Sequence, residues 1–221
     1  MGNNIFNVLI LGGYGNFGAR IARLLAREPG FRLVIVGRSL DKARTFCDEL
    51  RRDGVAADVD ALGLDQMDER LDHCIAASGA NLVIHTAGPY QGQDYRVAKA
   101  CVTAGANYID LADGRDFVVG IRTLDAAARE RKVLVVSGAS TLPALSSAVV
   151  DTLKSRLSRL DAMDMSIAPG QRAKRGLATL QGVLTYCGKP FRAWEGGQWR
   201  EVHGWQGMRT FMYPGLGRRV L

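Results

Sequence analysis

The junction at residues 8–18 constrains this chain most, because the apolar run Val8-Leu9-Ile10-Leu11 stops against Gly12-Gly13-Tyr14-Gly15-Asn16-Phe17-Gly18. A short, partly β-branched apolar run closed by glycines reads as a strand buried on both faces, as in a parallel sheet. A helix is expected next: Phe17, Ile21, Leu24 and Leu25 recur at helical spacing, while Arg20, Arg23 and Arg27 fall on other faces. The same alternation then continues. Strands are expected at 33–36, 55–61, 82–85, 108–111 and 133–136. Between them, Ala43, Phe46, Cys47 and Leu50 mark one helix and Met67, Leu71, Cys74 and Ile75 the next. Val97, Ala98, Cys101 and Val102 mark a third, and Ile121, Leu124 and Ala128 a fourth. Six strands alternating with helices imply an α/β fold with a doubly wound parallel sheet. Right-handed crossovers favour the strand order 3-2-1-4-5-6.

This pattern accounts for residues 1–155, and the rest of the 221-residue chain differs in kind. Residues 1–150 hold 17 basic and 17 acidic side chains, whereas residues 151–221 hold 12 and 5, so the whole formal charge of +7 lies in the last third. Trp194, Trp199 and Trp205 are there too. A domain boundary is therefore placed at 155/156. No recognised nucleic-acid module accompanies the basic excess, so no nucleic-acid partner is expected. No apolar run has the ~18 residues of a membrane span, and the start lacks a basic, cleavable leader. A soluble cytoplasmic protein is expected. Cys47, Cys74, Cys101 and Cys187 form no C-x-x-C pair and His73, His85 and His203 are scattered, so free thiols and no metal site are expected.

Glycine spacing supplies the chemistry. Gly13-x-Gly15-x-x-Gly18, set between a strand and a helix, has the form of a dinucleotide-binding turn. Gly13 is assigned the tight turn, Gly15 the close approach of backbone to pyrophosphate, and Gly18 the close packing of helix on sheet. Tyr14, Asn16 and Phe17 complete the loop. Twenty residues past Gly18, where NAD-binding folds usually carry an acidic ribose ligand, stands Arg38, followed by Ser39. A guanidinium fork and a hydroxyl suit a 2′-phosphate, so NADP is the expected cofactor.

In a doubly wound sheet, ligands lie beyond the carboxyl ends of the strands. Thr86, Ala87, Gly88 and Pro89 are thus expected against the cofactor. Asp110 and Asp113 are candidate proton carriers or amine anchors, Tyr90 a wall or hydroxyl donor, and Lys99 a more distant candidate. Capping of a neighbouring turn is the alternative reading of each Asp. Tyr95 and Lys99 also have the Y-x-x-x-K form of short-chain dehydrogenases. They open the helix after the fourth strand rather than the fifth, which favours a surface lysine.

The runs LILGGYGNFGARIARLLA, VGRSLDKA, HTAGPYQGQDYRVAKACVTAGANYIDLAD and VVSGASTLPALSSAVVD, in that order, resemble the NADP-binding region of the saccharopine dehydrogenase family. The resemblance implies an NADP-dependent oxidoreductase acting at a C–N bond of an amino-acid or polyamine-like small molecule. The substrate would lie between this domain and a second, inserted one. Where saccharopine reductases proper carry a run resembling GLDPGIDH, the chain reads Gly138 to Ser146 as GASTLPALS, without that carboxylate and histidine. A reductase of C=C or C=O bonds and a non-catalytic NADP-binding module are the alternatives.

In the last third, a strand is expected at 163–167, a helix at 177–186 and a hairpin at 191–202 turning on Gly196-Gly197. These 60-odd residues, 156–221, are expected to be part of a second α/β domain, which the family resemblance makes longer. Its open strand edge would favour a homodimer.

Overall fold

The computed structural model describes residues 5–167, 170, 172, 176–215 and 217–220. It comprises two compact units, Met1–Leu153 and Lys154–Leu221.

The first unit is built on six parallel strands: β1 (Phe6–Leu11), β2 (Phe31–Gly37), β3 (Asp58–Gly63), β4 (Leu82–His85), β5 (Asn107–Asp110) and β6 (Val135–Val136). Their order is β3-β2-β1-β4-β5-β6, the doubly wound order expected from the sequence. β1 has partners on both sides, with Leu9 beside Val34 on one and Val83 on the other. Side chains alternate across the sheet, so both faces must be apolar where both are covered. On one face Val8, Ile10, Leu33, Ile35 and Val59 pack with α1 (Gly18–Leu25) and α2 (Leu40–Arg52). On the other, Leu9, Leu11, Val34, Val36, Val83 and Tyr108 pack with α3 (Leu71–Ala77) and α4 (Arg96–Ala104).

The buried stripes of α2 and α4 are those read from the sequence, but that of α1 is so only in part. Phe17 and Leu24 are exposed, Ile21 and Leu25 pack half-buried against the core as expected, and the fully buried residues are Gly18, Ala22 and Ala26, the last the C-cap residue. Small residues at i, i+4 and i+8 let this helix lie close to the sheet, a requirement that hydrophobic size alone does not reveal. Met67 is exposed and precedes α3. The third strand runs 58–63 rather than 55–61, because the N–H groups of Ala56 and Ala57 both bond Ala26 O. The sixth strand is short for a similar reason: Val133 N–H bonds Ala128 O and Leu134 N–H bonds the Asn107 side chain. Between β5 and β6 lie α5 (Arg115–Gly120), a 3-10 turn (Ile121–Leu124) and α6 (Asp125–Glu130). After β6 comes a π turn, Thr141–Leu145, and then α7 (Ser146–Lys154).

In the second unit, α8 (Leu177–Thr185) precedes a hairpin of β7 (Pro190–Glu195) and β8 (Gln198–His203). Its turn uses Gly196 and Gly197, both at positive φ as a two-residue hairpin turn requires. Trp194 pairs with Trp199, their rings edge to face at 5.4 Å. A second hairpin, β9 (Thr210–Tyr213) and β10 (Gly217–Val220), was not anticipated. Residues 163–167, expected as a strand, are not one: their alternation finds no ladder partner among the described residues, and Ser166 bonds the Tyr213 hydroxyl instead. Among the described residues no helix is long and apolar enough to cross a membrane.

Candidate functional site

The glycine turn follows β1 directly, and its glycines have different tasks. Gly12 rather than Gly13 takes the left-handed conformation, with φ of +83°, so the tight turn assigned to Gly13 belongs to its neighbour. Gly13 is buried, and a Cβ there would come 2.8 Å from Ile10 O and 3.0 Å from the Ile35 side chain. A Cβ on Gly18 would overlap Gly12 O and come within 2.8 Å of Gly13 Cα, so α1 starts against the turn itself. Gly15 differs. Within 4 Å its Cβ would meet only the Gly12 carbonyl, 3.0 Å from the oxygen, so its outer side is open. That opening, at the N-terminus of a helix with its partial positive charge, is the cradle a pyrophosphate requires. Asn16 and Phe17 lie between it and α1, Phe17 exposed.

The end of β2 stands beside this turn. Gly37 carries no side chain because the Tyr14 ring lies where its Cβ would be. The Tyr14 hydroxyl accepts the N–H of Ser39 at 3.0 Å. Ser39 caps α2, its Oγ accepting Lys42 N–H at 3.3 Å. Arg38 is exposed and makes no ion pair among the described residues. A guanidinium with no carboxylate to satisfy is available to a phosphate.

The loop after β4 braces the turn from below. Thr86 donates both its N–H (2.8 Å) and its hydroxyl (2.9 Å) to Leu11 O. Its Oγ1 lies 2.8 Å from where a Cβ would stand on either Gly12 or Gly18. Beyond it, Gln93 Nε2 donates to Ala87 O (3.0 Å) and Pro89 O (2.6 Å). The Tyr90 ring backs Gly88, where a Cβ would be 3.4 Å away. Thr86 and Ala87 therefore lie against the glycine turn, and Gln93, whose part the sequence pattern does not announce, holds the segment up to Pro89 together with Tyr90.

Below the strand ends lies a buried polar network. His85 is 1 % exposed, its Nδ1 3.0 Å from the Tyr108 hydroxyl and its Nε2 3.1 Å from Gln66 Oε1. Burial pushes its pKa down to about 4, so the ring is neutral. Nε2–H then donates to the Gln66 carbonyl, and Nδ1 accepts from Tyr108. Burial, and next the Asp110 carboxylate, raise the Tyr108 pKa and hold it protonated. Tyr90 is likewise raised, by burial first and then by Asp110, and its hydroxyl donates to His85 O at 2.7 Å.

Asp110 is wholly buried. Its Oδ1 accepts from Ala112 N, Ser137 Oγ and Gly138 N, each at 2.9 Å, fastening the loop after β6 to the end of β5. Its Oδ2 is buried without a hydrogen bond. Asp113 is exposed and accepts from Gln91 Nε2 at 3.1 Å. Lys99 is exposed on α4 near Asp94, whose carboxyl the bonded Arg96 fork holds down to about 2, with Lys99 adding to the effect. The Tyr95 hydroxyl bonds the Asp116 and Phe117 carbonyls of α5. Tyr95 is thus engaged in joining α4 to α5.

A strand–glycine turn–helix unit with an open phosphate cradle and a basic, hydroxyl-bearing end of β2 defines a dinucleotide-binding Rossmann domain of the NADP type. Over residues 8–155 the chain matches the saccharopine dehydrogenase NADP binding domain, and it belongs to that family. No curated protein matches the chain. Among solved structures, it is similar to a citronellol catabolism dehydrogenase from Pseudomonas aeruginosa PAO1, with 19% identity over 62% of this chain and 75% of that one and a TM-score of 0.47. A beta-ketoacyl-ACP reductase from Bacteroides thetaiotaomicron gives 17% identity over 60% and 74%, with a TM-score of 0.46. An actinorhodin polyketide ketoreductase solved with NADPH gives 18% over 72% and 79%, with a TM-score of 0.48.

Proposed function

We propose that this protein is an NADP-dependent oxidoreductase that transfers hydride at a C–N bond of an amino-acid or polyamine-like small molecule. Membership of the saccharopine dehydrogenase NADP-binding family carries this reading. Gly13 to Gly18 would hold the pyrophosphate, Arg38 and Ser39 the 2′-phosphate, and the Thr86 to Pro89 loop the nicotinamide side. Bound NADPH supplies the hydride for an imine carbon.

The chain's own residues then divide by accessibility. Asp113 is exposed beyond β5 and free to anchor a substrate ammonium through its second oxygen. Asp110 acts by holding the Ser137–Gly138 segment in place, and Tyr90 by holding the loop after β4. Lys99, placed near Asp94 on α4, is the more remote proton source. The second unit is proposed as part of the substrate-binding and dimerising domain, and the cytoplasm as the site of action.

The test is NADPH oxidation by the protein with amine and oxo-acid pairs, compared with enones and simple ketones, the product being identified by mass spectrometry. A secondary amine formed from an imine-forming pair is the expected result. Turnover confined to enones or ketones would move the reaction to another bond. NADPH binding without turnover on any panel would make the domain a non-catalytic nucleotide sensor.

A further inference from the structure

The tyrosine inside the glycine turn is placed oddly for a loop side chain. Tyr14 does not project away from the turn but lies on Gly37, close enough that any Cβ there would overlap its ring. This brings its hydroxyl to the segment that reads the adenosine ribose, where it accepts Ser39 N–H at 3.0 Å. A phenol has one proton to give as well as lone pairs to offer. Among the described residues that proton has no acceptor, and the side chain is only half-buried. The neighbouring donors are similarly unspent: Arg38 has no ion pair among the described residues, and the Ser39 hydroxyl serves the cap of α2 only as an acceptor.

We propose that the Tyr14 hydroxyl is a third donor to the 2′-phosphate of the dinucleotide, beside Arg38 and Ser39, so that the glycine turn itself helps to choose NADP over NAD. This rests on the reading of the site as NADP-binding. Tyr14 would couple two subsites that are usually separate: its backbone borders the pyrophosphate cradle at Gly15, while its side chain reaches the phosphate on the ribose. Because the ring is seated on Gly37 beforehand, little side-chain freedom would be lost when the phosphate arrives.

The experiment compares adenosine 2′,5′-bisphosphate with 5′-AMP, which differ only in the 2′-phosphate, by titration calorimetry on the unmodified protein and on Tyr14→Phe. The variant keeps the ring on Gly37 and removes only the hydroxyl. Hydrogen bonds to charged groups are worth enough that affinity for the bisphosphate should fall about 10- to 100-fold, with 5′-AMP binding unchanged. Gly37→Ala, whose Cβ would overlap the ring and come within 2.6 Å of the hydroxyl oxygen, must displace the Tyr14 side chain and should lower the same preference. Equal weakening of both nucleotides by Tyr14→Phe would reduce the residue to a tie between two loops and overturn the proposal, as would no change in either. If the unmodified protein shows no preference for the bisphosphate, the NADP reading of the site falls first, and the role of Tyr14 with it. Thermal melting of each variant separates lost binding from lost folding.

Discussion

Replacing Asp110 by alanine removes one oxygen that accepts three hydrogen bonds, from Ala112 N, Ser137 Oγ and Gly138 N. The Ser137 hydroxyl is part-buried and can turn to another partner, so its loss costs little. The two backbone N–H groups cannot turn. Each buried donor left without a partner costs about 1–3 kcal/mol, so the pair gives about 2–6 kcal/mol. With a midpoint near 4 kcal/mol and 2–4 °C per kcal/mol for a chain of this size, Tm should fall by roughly 8–16 °C. Asp110→Asn keeps an acceptor at Oδ1 while losing the charge and putting an NH2 group in place of Oδ2, so its Tm should fall by about half as much. Asp113→Ala, which gives up one exposed bond to Gln91, should shift Tm by no more than a few degrees. Differential scanning calorimetry of the three variants decides the matter. An Asp110→Ala protein melting within about 2 °C of the parent would refute the fastening role. Asp110→Asn with unaltered melting and turnover lost by about 10² or more would make the residue a proton carrier instead.

Gly15→Val should abolish nucleotide binding in a calorimetric titration while circular dichroism and melting change little, since its outer side is open; Gly18→Ala should lower Tm, because its Cβ overlaps Gly12 O. Arg38→Asp should shift preference from NADP toward NAD by about 2–4 kcal/mol, one charge-assisted contact being replaced by a repulsion; equal affinity of the unmodified protein for both nucleotides would refute this. His85 is held neutral with its pKa depressed to about 4, against about 6.5 in an unfolded chain. Above pH 6.5 both states are neutral and His85 adds no pH dependence. Between pH 6.5 and 4 only the unfolded state takes up the proton, so stability falls with pH, by on the order of 3 kcal/mol in all. Urea denaturation of His85→Gln across this range should show a shallower fall than the parent, and parallel curves would contradict the assignment.

The strand order, the positions of the central strands and the phosphate turn were legible in the sequence because each is dictated locally. A strand covered on both faces must be apolar at every position, and a backbone that reverses beside a phosphate must lack side chains. The exchange of roles between Gly12 and Gly13 was not legible, since adjacent glycines are alike until φ is known. Nor was the stripe of Gly18, Ala22 and Ala26 on α1: closeness of helix to sheet is a property of the pair, and alanine is unremarkable in either helix or core. The topology puts the candidate residues at or near the strand ends, but the sequence could not say which of them face solvent. Asp110 ends β5 and Asp113 lies three positions on, in the loop that follows; one is buried and bonded to the segment after β6, and the other is open. His85 ends β4, Tyr108 lies within β5 and Gln66 in the loop after β3, and they meet only because β4 and β5 lie side by side and that loop returns to them. Local sterics and hydrophobic periodicity therefore determined the scaffold and the nucleotide turn from the sequence alone. Burial and hydrogen-bond partners depend on segments far apart in the chain, so only the tertiary structure decided which polar side chains hold the site together and which remain free to meet a ligand.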